Sequence, residues 1–284
     1  MAEFESDGIT ISYEVTGEGP PVLLLHGFPQ NRAMWGEVAP ALADRFTVVT
    51  ADLRGYGASS KPEALPDLSN YSFREMAADQ RRLMAALGFS SFQLVGHDRG
   101  ARVAHRLTLD APEAVERLVL MDIVPTHYLL SNWSLPIARA YPHWTYLGLP
   151  APIPERMIGA DPDFFYEATL LGLGSATLDD FRALEAYRAA WRNPAMIAAS
   201  TNDYRAALDV DFAHDAADLE QRVHCPTLVL WGRDGVMGRL YDVPAIWAER
   251  LDAMDAREMP GGHFFVDQYP HETCEVLRGF LSRG

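Results

Sequence analysis

Two rhythms of apolar residues alternate along this chain. Short β-rich runs at 22–25, 46–50, 92–95, 115–121 and 227–231 are apolar almost without interruption, the pattern of strands covered on both faces. Between and after them lie stretches of helical spacing at 34–44, 73–87, 101–110, 243–251 and 271–281. The second of these opens on a capping box, Ser72-Phe73-Arg74-Glu75, and stops at Gly88. Residues 9–15 alternate and read as an antiparallel edge strand turned by Gly17-Glu18-Gly19-Pro20, and a last strand is expected near 257–259. Strands alternating with helices predict an α/β architecture with a mostly parallel sheet and helices on both faces. From 125 to 217 the rhythm changes: prolines and aromatics become dense, β-branched runs vanish, and helical spacing dominates, as at 178–191 and 195–208. This predicts a helical cap, 125–217, inserted into a core made of 1–124 and 218–284.

Composition narrows the class further. The chain has 284 residues, 48% hydrophobic and 22% charged, with a formal charge of −15. So acidic a balance argues against a nucleic-acid or anionic-membrane surface. No apolar run approaches the ~20 residues of a membrane span. The start, Met1-Ala2-Glu3-Phe4-Glu5, lacks the basic and apolar regions of a signal peptide. Two cysteines, Cys225 and Cys274, form neither a metal motif nor a disulfide framework, and Cys225 reads as a small hydrophobe at a strand start. A reduced, cytoplasmic setting is expected.

The chemistry centres on Gly96-His97-Asp98-Arg99-Gly100. It follows a strand and opens a helix, and its glycines stand two places either side of one reactive side chain. That arrangement is a nucleophile elbow, with Asp where the commoner form carries Ser. A carboxylate is ionised at neutral pH without help. Attack on an acyl carbon would give an anhydride, whereas attack on a saturated carbon bearing a leaving group gives an alkyl ester. Displacement of halide or opening of an epoxide is therefore expected.

The ester then needs water and a base. His263, in the turn Pro260-Gly261-Gly262-His263 after the last strand, suits that role. Among the other histidines, His26 reads as structural and His97 as a pocket-lining neighbour of Asp98. His105, His127, His214, His224 and His271 carry no such placement. The third member is Asp122, at the end of the strand after the elbow helix, or Asp234 in Trp231-Gly232-Arg233-Asp234-Gly235. Backbone N–H groups of Phe28, in His26-Gly27-Phe28-Pro29, and of Arg99 are the expected oxyanion hole. Arg99 and Arg102 share one face of the first helical turn, where cations oppose the helix dipole. An anion gripped by both guanidinium groups would explain them; a salt bridge to nearby acids is the plainer explanation.

Gly96-His97-Asp98-Arg99-Gly100-Ala101-Arg102, Met121-Asp122-Ile123-Val124-Pro125-Thr126, His143-Trp144, Asp203-Tyr204-Arg205 and Gly262-His263-Phe264 together resemble the fluoroacetate (haloacetate) dehalogenase family. The resemblance implies an eight-stranded α/β-hydrolase fold with a helical cap, and hydrolytic dehalogenation of a small 2-haloacid. It implies Asp98 as nucleophile, His263 as base and Asp122 as the acid in preference to Asp234. Arg99 and Arg102 would hold the substrate carboxylate, and His143, Trp144 and Tyr204 the halide. By spacing alone, His143 and Trp144 are cap core, and Tyr141, Tyr146 and Tyr187 rival Tyr204. Arg99 stands where related epoxide hydrolases and haloalkane dehalogenases carry Trp. Leu149 and Thr201-Asn202 depart from the family pattern, which would alter the pocket near the halide. The resemblance also implies a homodimer. No metal or organic cofactor is needed for Asp98, His263 and water to act. The competing reading is an epoxide hydrolase using the same Asp98 and His263, normally with two cap tyrosines.

Overall fold

In the computed structural model, which describes residues 2–283, eight strands form one sheet in the order β1-β2-β4-β3-β5-β6-β7-β8. They are β1 (Ala2–Ser6), β2 (Ile9–Thr16), β3 (Pro21–Leu25), β4 (Thr47–Ala51), β5 (Phe92–His97), β6 (Val115–Met121), β7 (Thr227–Gly232) and β8 (Met254–Met259). Only β2 runs against the others. The apolar runs of β3 to β7 are buried nearly throughout, as two covered faces require. The expected edge strand at 9–15 is not the edge: β1 pairs outside it, with Ala2 opposite Tyr13. Its polar, exposed residues (Glu3, Glu5) carry no core signal.

Helices α1 (Phe73–Ala86) and α2 (Arg99–Asp110) pack on each other and beside the sheet. Ser72 caps α1 by accepting from the Glu75 N–H at 3.3 Å. The helix expected at 34–44 is instead a 3-10 turn, Arg32–Gly36, and a short helix, Val38–Leu42. Gly36 interrupts the run, and Pro40 lacks the N–H that a helix interior would need. Between β6 and β7 every regular element is helical, from Thr126–Ser131 to Phe212–Ala217. Its helices include α3 (Leu135–Ala140), α4 (Pro142–Leu147), α5 (Pro162–Gly172), α6 (Leu184–Trp191) and α7 (Pro194–Ala206). Expected helices at 178–191 and 195–208 break at Phe181 and at a π-helical turn, Ala207–Asp211. The large aromatics of this insertion, Trp144, Tyr166, Tyr187, Trp191 and Tyr204, are buried at 0–1% exposure and join the same hydrophobic core as the sheet. The chain closes with α8 (Val243–Ala248) and α9 (Pro270–Leu281). Cys225 is half-buried and Cys274 buried; both are free thiols. Among the described residues no helix is long and apolar enough to cross a membrane.

Register decides where the chemistry gathers. Leu25 lies beside Gly96, His97 beside Met121, Met121 beside Leu230, and Gly232 beside Met259. The carboxyl ends of β3, β5, β6, β7 and β8 therefore reach one edge of the sheet. From β3 the chain goes to β4 on one side and later returns to β5 on the other. Open parallel sheets bind ligands at that kind of switch point.

Candidate active site

Asp98 stands between β5 and α2 with φ +47° and ψ −114°, a region that costs a non-glycine residue about 1–3 kcal/mol. The neighbouring glycines allow the turn. A Cβ on Gly96 would lie 2.4 Å from the Gly100 carbonyl oxygen, and one on Gly100 would lie 2.4 Å from that of Leu25. The Phe28 N–H donates to Oδ2 of Asp98 at 2.9 Å. Its Oδ1 accepts no hydrogen bond from any described residue. Burial alone would raise this carboxyl, but the nearby His263, His97, Arg99 and Arg102 outweigh it and hold it down at about 2. Asp98 is an ionised, strained, 7% exposed carboxylate.

His263 faces it from the loop after β8. Its Nδ1 lies 2.6 Å from Oδ2 of Asp122, while Oδ1 of Asp122 accepts the Gly232 N–H at 2.9 Å. Asp234 is exposed and contributes a backbone N–H to the Gly261 carbonyl, so of the two candidate acids the fold brings Asp122 to the imidazole. Burial lowers the basicity of His263, but the hydrogen bond and charge of Asp122, with Asp98, raise it above its ordinary value. His97 donates from Nε2 to the His263 carbonyl at 2.8 Å, and burial holds it neutral, down at about 4. His26 is structural, as expected: its Nε2 accepts the Leu53 N–H at 3.0 Å.

The two arginines differ. Arg99, fully buried, donates from Nε to Oδ2 of Asp203 at 2.9 Å and from Nη2 to the Asp203 carbonyl and Oδ1. Its Nη1 is buried without a partner. The plainer salt-bridge explanation thus applies to Arg99, leaving one guanidinium edge free. Arg102 pairs with no carboxylate among the described residues; its Nη1 donates to the Val124 carbonyl at 3.1 Å and to the Thr126 hydroxyl at 3.0 Å, and its Nε is unpartnered. Both guanidinium groups lie over the Trp144 ring, 5.2 and 4.9 Å from its centroid, and Arg99 also lies 4.2 Å from that of Tyr204.

The insertion closes the site from above. Tyr204 packs edge-on against Trp144 at 5.2 Å, His143 at 5.6 Å and Phe28 at 5.1 Å, and His143 stacks on Phe28 at 6.0 Å. The Tyr204 hydroxyl, Trp144 indole and His143 imidazole make no hydrogen bond to any described residue. Burial holds the His143 imidazole neutral, down at about 3, and pushes the Tyr204 phenol well up. Leu149 is 38% exposed, the Thr201 hydroxyl donates to Glu155, and Oδ1 of Asn202 accepts from Nη1 of Arg205 at 2.9 Å.

Spacing alone missed two contributors. Tyr141, one of the rivals to Tyr204, lies 5.2 Å from the His143 ring and 6.5 Å from that of His263, its hydroxyl without a hydrogen-bond partner among the described residues. Tyr56, in the glycine-rich loop after β4, donates to Oδ2 of Asp203 at 2.5 Å and so supports Arg99. Nothing in its neighbourhood in sequence announces that contact. No group of three or more His, Cys, Asp or Glu suited to a metal occurs among the described residues.

The alpha/beta hydrolase fold model matches residues 20–270, and this chain is an α/β-hydrolase. A fluoroacetate dehalogenase from Burkholderia sp is 53% identical over 276 residues, covering 96% of this chain and 91% of that protein. Within the fold, the chain belongs to the fluoroacetate dehalogenase family. A soluble epoxide hydrolase from Corynebacterium sp. (strain C12) is 28% identical, over 97% of this chain and 95% of that one. Among solved structures, a putative alpha/beta hydrolase from Nostoc sp PCC 7120 superposes with TM-score 0.97 at 44% identity, covering 100% and 98% of the two chains. A putative epoxide hydrolase from Pseudomonas aeruginosa gives 0.92 at 38%, covering 99% and 94%.

Proposed function

We propose that this protein hydrolyses the carbon–halogen bond of a small 2-haloacid such as fluoroacetate, giving the 2-hydroxyacid and halide. The observation that carries the reading is the state of Asp98: ionised, with Oδ2 held by the Phe28 N–H and Oδ1 free. The free oxygen attacks the α-carbon from the side opposite the halogen, a C–O bond forms, and halide leaves with the C–X electron pair. The unpartnered edges of Arg99 and Arg102 receive the substrate carboxylate. The indole, phenol and neutral imidazole of Trp144, Tyr204 and His143 donate to the departing halide.

In the second half, neutral His263 takes a proton from water as its oxygen attacks Cγ of Asp98. Charge develops on Oδ2, which already faces the Phe28 N–H. The Arg99 N–H, an orphan donor at the helix start, is the second donor to that oxyanion. Collapse breaks the ester bond, and the proton on His263 goes to the departing hydroxyacid. Asp122 orients the ring and stabilises imidazolium. The helical stretch 125–217 acts as the cap that supplies the halide donors and excludes water. The family further implies a cytoplasmic homodimer, whose assembly light scattering tests.

Halide release from fluoroacetate, chloroacetate and bromoacetate, read by ion-selective electrode, tests the reaction. Asp98→Asn is expected to abolish it, and His263→Ala to trap the alkyl ester as added mass on the Asp98 peptide. Undiminished release by Asp98→Asn, or none by the unaltered protein, overturns the proposal.

One observation favours a second reading, epoxide opening. Tyr141 and Tyr204 are both buried, and their hydroxyls are free, so two phenols could donate to an epoxide oxygen as Asp98 attacks carbon. Turnover of styrene oxide, lost in Tyr141→Phe and without any haloacid activity, would establish it.

A further inference from the structure

The proposed substrate is an anion, yet the chain carries a formal charge of −15, and the groups that would act on the substrate are closed over: Asp98 is 7% exposed, His143 8% and His263 2%. An anion must therefore pass a repulsive field and find a way in.

The insertion offers a route. A cleft of about 370 Å³ lies between α3, α4 and α5, with walls that include Pro142, Tyr146, Phe164 and Phe165. Two of its lining residues, His143 and Leu173, are also in contact with the site. The His143 ring stacks on Phe28, and the Leu173 carbonyl accepts the His263 N–H at 3.2 Å. Among the described residues no carboxylate lines the cleft, and the one permanently charged group there is Arg139. Arg139 is exposed and makes no hydrogen bond or ion pair with any described residue. That is unusual in a chain where most arginines face an acid, as Arg188 faces Glu167 and Arg192 faces Asp163.

We propose that this cleft is the entrance for the anionic substrate, with Arg139 drawing the carboxylate in and the His143 ring closing the inner end. The inference rests on the dehalogenase reading for the charge of its ligand. An unpaired cation beside apolar walls focuses the field and raises the local anion concentration. Its reach in water is a Debye length, ~10 Å at 0.1 M salt and ~3 Å at 1 M, so the effect must fade with salt. A neutral histidine at the inner end can turn aside without moving a charge through the opening.

The test compares Arg139→Glu with Arg81→Glu, an equal charge change at an exposed position on α1, and with Ala168→Phe, which fills the cleft from its α5 wall. Two readouts are taken: kcat/KM for chloroacetate, and the association rate of glycolate by stopped-flow tryptophan fluorescence. Arg139→Glu is expected to lower both by about five- to tenfold at low salt, with kcat within twofold and the difference gone at high salt. Ala168→Phe should slow association at every salt concentration, and Arg81→Glu should match the unaltered protein. Equal behaviour of Arg139→Glu and Arg81→Glu, unhindered association in Ala168→Phe, or no glycolate association at all overturns the entrance. Absent halide release with normal, Arg139-dependent glycolate association would overturn the reaction and leave the entrance standing.

Discussion

Nδ1 of His263 lies 2.6 Å from Oδ2 of Asp122, across 141 positions of sequence, because β6 and β8 end at the same edge of the sheet. With Nδ1 so engaged, Nε2 is the nitrogen left to take a proton from water. Replacing Asp122 by Asn removes the charge and turns the preferred tautomer. Ester hydrolysis should slow by ~10⁴-fold, the size seen when such an acid is neutralised in a triad. Alkylation of Asp98 does not use the histidine and should persist, so mass spectrometry after mixing with chloroacetate should find the ester. Asp234→Asn should be fully active. Ordinary turnover by Asp122→Asn would remove Asp122 from the mechanism.

Acid should separate the two halves of the reaction. Asp98 is held at about 2 and stays ionised through the whole working range. His263 is raised above its ordinary value by Asp122 and Asp98, and only its neutral form accepts a proton. Activity limited by ester hydrolysis therefore rises with pH through the His263 titration and falls below it. At about pH 5, well below that titration, rapid-quench measurement should show one halide released per site and then a slow steady state. A linear time course there, with no burst, would mean that His263 is not the base or that alkylation limits the rate.

Much of this was legible locally, and what was not is informative. Strands β3 to β7 announce themselves because two covered faces demand unbroken apolar runs, whereas β1 lies at the edge with Glu3 and Glu5 exposed and has no such demand to meet. The elbow is readable because glycine, Asp and helix lie within five residues. The pairing of Arg99 with Asp203 spans 104 positions, and no periodicity reports it. The salt-bridge alternative therefore holds for the Nε and Nη2 side of Arg99, while its Nη1 stays unpartnered. Tyr141 could not be separated from its rivals by spacing, since helical position in the insertion says little about which phenol faces Asp98.

Gly27 tests how tightly the nucleophile is seated. A Cβ at this position would lie 2.5 Å from Cβ of Asp98 and 2.9 Å from its Oδ2, contacts that must push the carboxylate or the Phe28 turn away. Overpacking of this kind costs about 1–3 kcal/mol. Gly27→Ala should fold with a modestly lower melting temperature yet lose most halide release, because a shift of the Phe28 N–H uncouples the oxyanion donor from Oδ2. A variant that melts lower but keeps full kcat would show that the turn tolerates the extra methyl group.

The Arg99–Asp203 pair should matter to stability and to chemistry in separable ways. Both side chains are fully buried, so removing one charge strands the other. That costs about 3–5 kcal/mol, whereas replacing both partners by apolar groups is often neutral. Asp203→Asn should therefore lower the melting temperature by roughly 6–20 °C, taking about 2–4 °C per kcal/mol for a chain of this size. Tyr56→Phe deletes one hydrogen bond to Asp203 and should cost only about 1 kcal/mol. The double variant Arg99→Met with Asp203→Leu should recover most of the lost stability while losing most halide release from haloacetates, since only the Arg102 guanidinium is left to hold the carboxylate over Asp98. Thermal unfolding and halide release, measured on the same samples, decide it. Recovery of activity along with stability would mean that Arg102 alone holds the substrate and that Arg99 serves only to fill the space between α2 and the insertion.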